Sequence, residues 1–208
     1  MPCCAWACRE KKTVSASERN EEARQDWRES AETLPARRVV VVDESSTHLG
    51  MTSPYARAPR GQRAYTQQPR NYGKNMTLLA GLRLEGMSAP MLIEGAVNTA
   101  VFETFVEQVL LPTLHQGDIV VVDNLSAHKS KRVESLLAAQ DCQLLFLPAY
   151  SPDFSPIENA FAKIKQCLRV AHAQTVDALI DALDHALATV SRFDAIGFFT
   201  NAGFLNLD

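Results

Sequence analysis

Two short runs of β-branched residues, each closed by an aspartate, constrain this chain more than any other feature. Arg38-Val39-Val40-Val41-Val42-Asp43 and Asp118-Ile119-Val120-Val121-Val122-Asp123 both read as strands of a sheet covered on both faces. Four consecutive aliphatic side chains leave neither face of such a strand to water. Ligands of open α/β sheets commonly bind just beyond the strand ends. Each run therefore delivers a carboxylate to that edge, and the two aspartates occupy equivalent positions.

The remaining periodicity supplies a frame around these strands. Strand-like stretches at 76–84 and 87–93 flank Glu85-Gly86, a short turn that suits a hairpin. Val101, Phe102, Phe105, Val106, Val109 and Leu110 recur at helical spacing up to Pro112. Residues 131–140 read as a helix, 143–147 as a strand and 148–156 as a rigid loop carrying three prolines. A helix starts at Ser155 with the apolar stripe Ile157, Phe161, Ile164 and Leu168, and another carries Val176, Leu179, Ile180, Leu183, Leu187 and Val190. Three strands, helix, strand, helix, strand and then helices build an α/β domain, with a mixed five-stranded sheet flanked by helices in RNase H-like order. Residues 1–36 are polar and charged, with helical composition over 16–34, and read as a leader or connector to a domain spanning 37–208.

With 208 residues, 46% of them hydrophobic, the chain can build one well-buried domain. A net charge of -3 excludes a uniformly basic nucleic-acid binder but not a local basic patch. No apolar run approaches the roughly 18 residues that cross a bilayer, so a cytoplasmic protein without a membrane partner is expected, associated with the nucleoid when on DNA. Cys3, Cys4 and Cys8 crowd the first ten residues, and Cys142 and Cys167 stand apart, which suits neither a disulfide framework nor a zinc-ligand set.

Two carboxylates at close range repel and raise each other's pKa unless a cation lies between them, so Asp43 and Asp123 favour a hard ion such as Mg²⁺ or Mn²⁺. Glu158 is the candidate third carboxylate, one turn into the helix that starts at Ser155. The same residues fit a second reading. Ser155-Pro156-Ile157-Glu158 is a good capping box, with Glu158 at N3 reaching back to a backbone amide, and capping boxes are common. Local sequence leaves both open.

From Ser45 to Leu84 there is no acid, although the chain carries 24 Asp and Glu. Arg57, Arg60, Arg63, Arg70, Lys74 and Arg83 alternate there with Tyr55, Tyr65 and Tyr72, a mixture suited to phosphate neutralisation and base stacking. Arg57, Arg60, Arg63 and Lys74 are the candidate DNA contacts, against the alternative of a solvated hairpin. Lys129, with Lys131, Arg132, Lys163, Lys165 and Arg169, extends the basic surface. Asn124 and His128 are placed to orient a metal-bound water or touch DNA phosphate, or else to satisfy their own loop.

The blocks VVVVDESS, IVVVDNLSAHKS and LLFLPAYSPDFSPIENAFAKIK closely resemble the three signature blocks of the bacterial insertion-sequence branch of mariner-like DDE transposases. The resemblance runs from about residue 11 to residue 204. It implies an RNase H-like fold and a triad of Asp43, Asp123 and Glu158 holding two Mg²⁺ or Mn²⁺ ions, one activating a water or 3′-hydroxyl and one stabilising the leaving oxygen. The implied activity is metal-dependent cleavage and strand transfer of DNA, acting on transposon ends and a TA target as a homodimer. Members also carry an N-terminal helix-turn-helix region, which is not recognisable here. A truncated or frame-split copy is therefore expected, its DNA reader supplied by another reading frame. The alternatives are an inert, transposition-incompetent DNA-binding remnant and, fitting the three blocks less well, a host nuclease of the same fold.

Overall fold

In the computed structural model, which describes residues 17, 19–53, 57–65, 73, 75–125 and 128–207, the first valine run opens a central strand, β1 (Val39–His48). β2 (Asn75–Arg83) and β3 (Gly86–Glu94) form an antiparallel hairpin on one side of it. β4 (Ile119–Val122) and β5 (Gln143–Phe146) add in parallel on the other. The order is β3-β2-β1-β4-β5, the expected mixed five-stranded sheet. The hairpin turns through Leu84 and Glu85 rather than Glu85-Gly86. Gly86 already pairs with Arg83 and holds φ at +129°, a conformation open to glycine.

Alternation along the strands divides the core between two faces. Val39, Val41 and Val121 pack toward α4 (Pro156–Ala171), α5 (Val176–Ala188) and α6 (Arg192–Asn201). Val40, Val42, Val120 and Val122 pack toward α2 (Thr99–Phe105) and α3 (Lys131–Ala138). All four β1 valines are completely buried, which is the burial that an unbroken apolar run anticipates. α2 continues through a π turn (Val106–Leu110) and a 3₁₀ turn (Leu111–Thr113) containing Pro112. The periodicity did not single out α6. Its start is marked instead by a reciprocal capping box between Ser191 and Asp194.

Three expectations change. β1 does not end at Asp43 but runs on to His48, because it keeps β2 as a partner from Asp43↔Ala80 to His48↔Asn75 after β4 has stopped. Its polar second half carries no apolar signal. Within the 1–36 stretch, residues 20–36 are also more than a connector. α1 (Glu21–Thr33), capped by Asn20, sends Trp27 and Ala31 into the same core as α4. Trp27 meets Phe204 edge-on at 6.5 Å, and the Ala36 N–H donates to the Asn206 carbonyl at 2.8 Å, so the end of the chain closes over this helix. Finally, Arg83 is not a DNA contact. It is buried in an ion pair with Asp118 at 2.6 Å, and Asp118 precedes β4 at the sheet end opposite Asp123.

Cys142 is buried and Cys167 half-buried, both as free thiols, while Cys3, Cys4 and Cys8 lie outside the described residues. Among the described residues no helix is long and apolar enough to cross a membrane.

If α1 is part of the core, Trp27→Ala should lower the folding free energy by about 3 kcal/mol, in the range of buried aromatic truncations. Denaturant midpoints measure this. A shift below about 0.5 kcal/mol, typical of a surface position, would return α1 to the role of a loose connector.

Candidate active site

The site follows from strand register. Val42↔Val122 is the last matched pair between β1 and β4, so Asp43 and Asp123 are the next residues on neighbouring parallel chains. Asp43 shares the parity of Val41, and Asp123 that of Val121, and both valines face the helix layer containing α4. Glu158 comes from the first turn of α4. The three carboxylates line one cavity of about 380 Å³, together with Asn124, Tyr150 and Ser155.

The capping alternative for Glu158 is not realised. Ser155 occupies the N-cap of α4 but makes no side-chain cap bond, and its buried Oγ has no hydrogen-bond partner. Glu158 is exposed, and its carboxylate belongs to the cavity wall.

The loop before α4 is held from α1. Arg24 is completely buried and grips Asp153 with two hydrogen bonds of 3.0 and 2.6 Å. Its guanidinium lies 4.2 Å from the centre of the Phe154 ring. These contacts anchor the 3₁₀ turn Pro152–Phe154, immediately before Ser155. The hydrogen bonds from Arg24 hold the Asp153 carboxyl below its usual range. Upstream, Tyr150 adopts φ +56°, a left-handed conformation that is strained for an aromatic residue.

Burial pushes the Asp43 carboxyl up to about 7, and the neighbouring charges of Glu44, Asp123 and Glu158 push the same way. The Glu44 N–H, donating to Asp43 Oδ1 at 2.8 Å, opposes the rise. Asp123 Oδ1 accepts from the Leu125 N–H at 3.1 Å. Among the described residues no hydrogen bond reaches the second oxygen of either aspartate. An all-oxygen set lining one cavity, where a half-buried carboxyl resists ionisation, is the donor chemistry of a hard divalent cation. Among the described residues, however, no three His, Cys, Asp or Glu side chains already stand at metal-holding spacing. Repulsion between uncompensated carboxylates opposes a closer approach.

His128 departs from expectation. It is fully buried, so it has no surface to offer DNA phosphate. Its Nδ1 lies 2.5 Å from Asp123 Oδ1 and its Nε2 3.2 Å from Glu44 Oε2, as ion-pair contacts. Burial works to lower its pKa, but Asp123 and then Glu44 outweigh it and raise the imidazole to about 9.

Asn124 lines the cavity as an exposed residue, and Lys129 is exposed nearby in sequence. Arg57, Arg60 and Arg63 are exposed on the 57–65 segment, where Tyr65 is 88% exposed, but none of them lines the cavity. Lys74, Arg70, Tyr55 and Tyr72 lie outside the described residues. Arg132 and Lys163 are engaged by Glu107 and Asp194, each at 2.7 Å. Sequence reasoning missed Leu125 and Tyr150, large exposed side chains on the cavity wall. It also missed Arg24 and Glu44, whose pairing with partners distant in sequence no local pattern announces.

Residues 38–180 match the family described as DDE superfamily endonuclease. Over 86 residues the chain is 30% identical to the transposable element Tc1 transposase of Caenorhabditis elegans, a stretch covering 41% of this chain and 32% of that protein. Its fold is similar to that of the mariner Mos1 paired-end complex with Mg (TM-score 0.71, 20% identity, 94% of this chain and 62% of that one). It is likewise similar to the catalytic domain of Mos1 mariner transposase (TM-score 0.62, 18% identity, 93% of each chain). The chain thus spans about a third of the Tc1 transposase and under two thirds of the Mos1 chain in the paired-end complex. The likeness establishes the RNase H-like fold.

The raised Asp43 carboxyl has a sign that can be tested without metal. Below pH 4 Asp43 is protonated folded or unfolded, and its contribution to stability is intact. That contribution is lost as pH rises through about 7, where the folded carboxyl is forced to ionise. Asp43→Asn should therefore stabilise the metal-free protein at pH 8 by on the order of 2 to 4 kcal/mol, with no gain below pH 4. Thermal melts across pH in EDTA check this.

Proposed function

We propose, on the premise that this chain belongs to the DDE superfamily endonucleases, that it is the catalytic part of a transposase, cutting DNA and joining 3′-hydroxyl ends to target DNA. The observation that carries this reading is the convergence of Asp43, Asp123 and Glu158 on one cavity, with Glu158 free of its competing capping role. We assign these three residues as the ligands of two divalent ions, Mg²⁺ or Mn²⁺. Such ions would supply Lewis-acid polarisation of the phosphodiester and a lowered pKa for the attacking hydroxyl. An intact triad in a formed cavity supports an active core over an inert remnant.

The chain's own residues have distinct parts in this reading. Asp43, fixed in the β1 ladder, and Asp123, just beyond β4, set the position of the scissile phosphate relative to the sheet edge. Glu158 approaches from α4. The Asn124 amide is placed to hydrogen-bond phosphate or the attacking water. Tyr150 and Leu125 offer an apolar wall on which a nucleobase can stack. Exposed Arg57, Arg60, Arg63 and Lys129 contribute phosphate neutralisation at a distance from the reacting bond, and Lys74 is assigned to phosphate on its charge.

The three sequence blocks support a place in the bacterial insertion-sequence branch of the mariner-like transposases. On that footing the substrate is a transposon end and the target a TA dinucleotide, used by a homodimer on paired ends within the cytoplasm. A helix-turn-helix region would read the ends.

Two outcomes follow. In Mn²⁺ or Mg²⁺ the chain should nick supercoiled plasmid and join a 3′-hydroxyl oligonucleotide to it, and Asp123→Ala should lose on the order of a thousandfold in rate. Equal activity in wild type and Asp123→Ala would remove the triad from the chemistry. Tyr150→Ala should weaken single-strand DNA binding by about tenfold while Tyr150→Phe keeps it, since stacking needs the ring and not the hydroxyl. Fluorescence anisotropy in Ca²⁺ distinguishes them.

A further inference from the structure

We infer that Glu44 and His128 are positioning residues for the Asp123 carboxylate, and that this carboxylate–imidazole–carboxylate bracket sets how tightly the site holds a divalent ion. The inference rests on the metal reading proposed above.

The geometry is specific. The His128 ring is fully buried, with Nδ1 in ion-pair contact with Asp123 and Nε2 with Glu44, neither contact being an aligned hydrogen bond. It lies against Phe102, 4.2 Å between ring centres, and Phe102 belongs to the core on the α2 face of the sheet. Glu44 follows Asp43 in β1 but has the opposite parity, so its carboxylate reaches the Phe102 side while Asp43 reaches the α4 side. One imidazole thereby ties β1 to the segment after β4, at the point where their backbone pairing has ended. Glu44 Oε2 is buried and forms no aligned hydrogen bond, so the imidazole is the group that compensates it.

The bracket answers a mechanical problem. Asp43 is held by the β1–β2 ladder on both sides of its own position. Asp123 lies outside any strand and is held by the Leu125 N–H and by His128. Without the imidazole its carboxylate could rotate, and a ligand that must be ordered on binding binds its ion less well. Groups that orient ligating side chains typically change metal affinity by about 10- to 100-fold.

The experiment measures Mn²⁺ binding to the full chain without DNA, by the EPR signal of free Mn²⁺. It compares wild type, Asp123→Ala, His128→Gln, Glu44→Asp and the double variant Glu44→Asp/His128→Gln, with circular dichroism confirming that each is folded. Glu44→Asp keeps the charge and withdraws the carboxylate from the imidazole. Expected are loss of tight binding in Asp123→Ala, about tenfold weakening or more in His128→Gln, and a smaller weakening in Glu44→Asp. The double variant should be no worse than His128→Gln, since both changes break one bracket.

A merely nearby positive charge would act in the opposite direction, its removal strengthening Mn²⁺ binding. A folded His128→Gln that binds as tightly as wild type, or more tightly, overturns the bracket while leaving Asp123-dependent binding, and thus the metal reading, in place. Absence of any Asp123-dependent binding in wild type overturns the metal reading and the bracket with it. Should His128→Gln not fold, Glu44→Asp decides alone: weakened binding supports the bracket and unchanged binding overturns it.

Discussion

The parallel pairing that ends at Val42 and Val122 is the constraint on which the rest of this structure depends. It places two carboxylates side by side on adjacent chains, with the same parity and toward the same helix layer. A slip of one residue in that register would send one aspartate to the opposite face of the sheet. The eight aliphatic residues behind them, buried on both faces, make such a slip costly. The apolar strands are therefore what aims the acids.

The two aspartates are nevertheless held differently. Asp43 continues within a ladder to β2, whereas Asp123 enters an irregular segment, and the buried His128 compensates for the support that β4 no longer gives. Glu158 depends on a third arrangement. Its helix begins after a turn anchored by a completely buried arginine from α1, with a bidentate carboxylate and an aromatic face as partners. Removing Asp153 would leave the buried Arg24 guanidinium without its bidentate carboxylate. Alpha-helical residues far upstream thus decide where the third acid stands.

Much of this was legible in the sequence because it rests on local periodicity. The valine runs declared doubly covered strands, and the stripe Ile157, Phe161, Ile164 and Leu168 declared the buried face of α4. The chain order of strands and helices followed from these, whereas the grouping of Asp43, Asp123 and Glu158 was implied by the resemblance of the three blocks, local sequence having left Glu158 between metal binding and capping. What was not legible depends on pairing across long separations. The second half of β1 is polar and is a strand only because β2 is there. α1 presents few apolar residues, yet Trp27 and Ala31 are spaced to reach one core. Arg24 and Asp153 are 129 positions apart, and nothing local marks either as half of an ion pair. His128 read as a residue of a polar loop, free to touch phosphate or to satisfy its own turn, because it stands in the block Asp123-Asn124-Leu125-Ser126-Ala127-His128. Its burial follows from Phe102, which belongs to a different helix.

The central claim is that the edge created by β1 and β4 is a divalent-metal site completed by α4. Anomalous diffraction from crystals of the protein grown with Mn²⁺ tests it most directly. The account predicts an anomalous peak between the Asp43 and Asp123 carboxylates at about 2.0 to 2.3 Å from their oxygens, with Glu158 facing the same cavity. A peak held elsewhere, or no peak at that edge in crystals that bind Mn²⁺ at other positions, would contradict it.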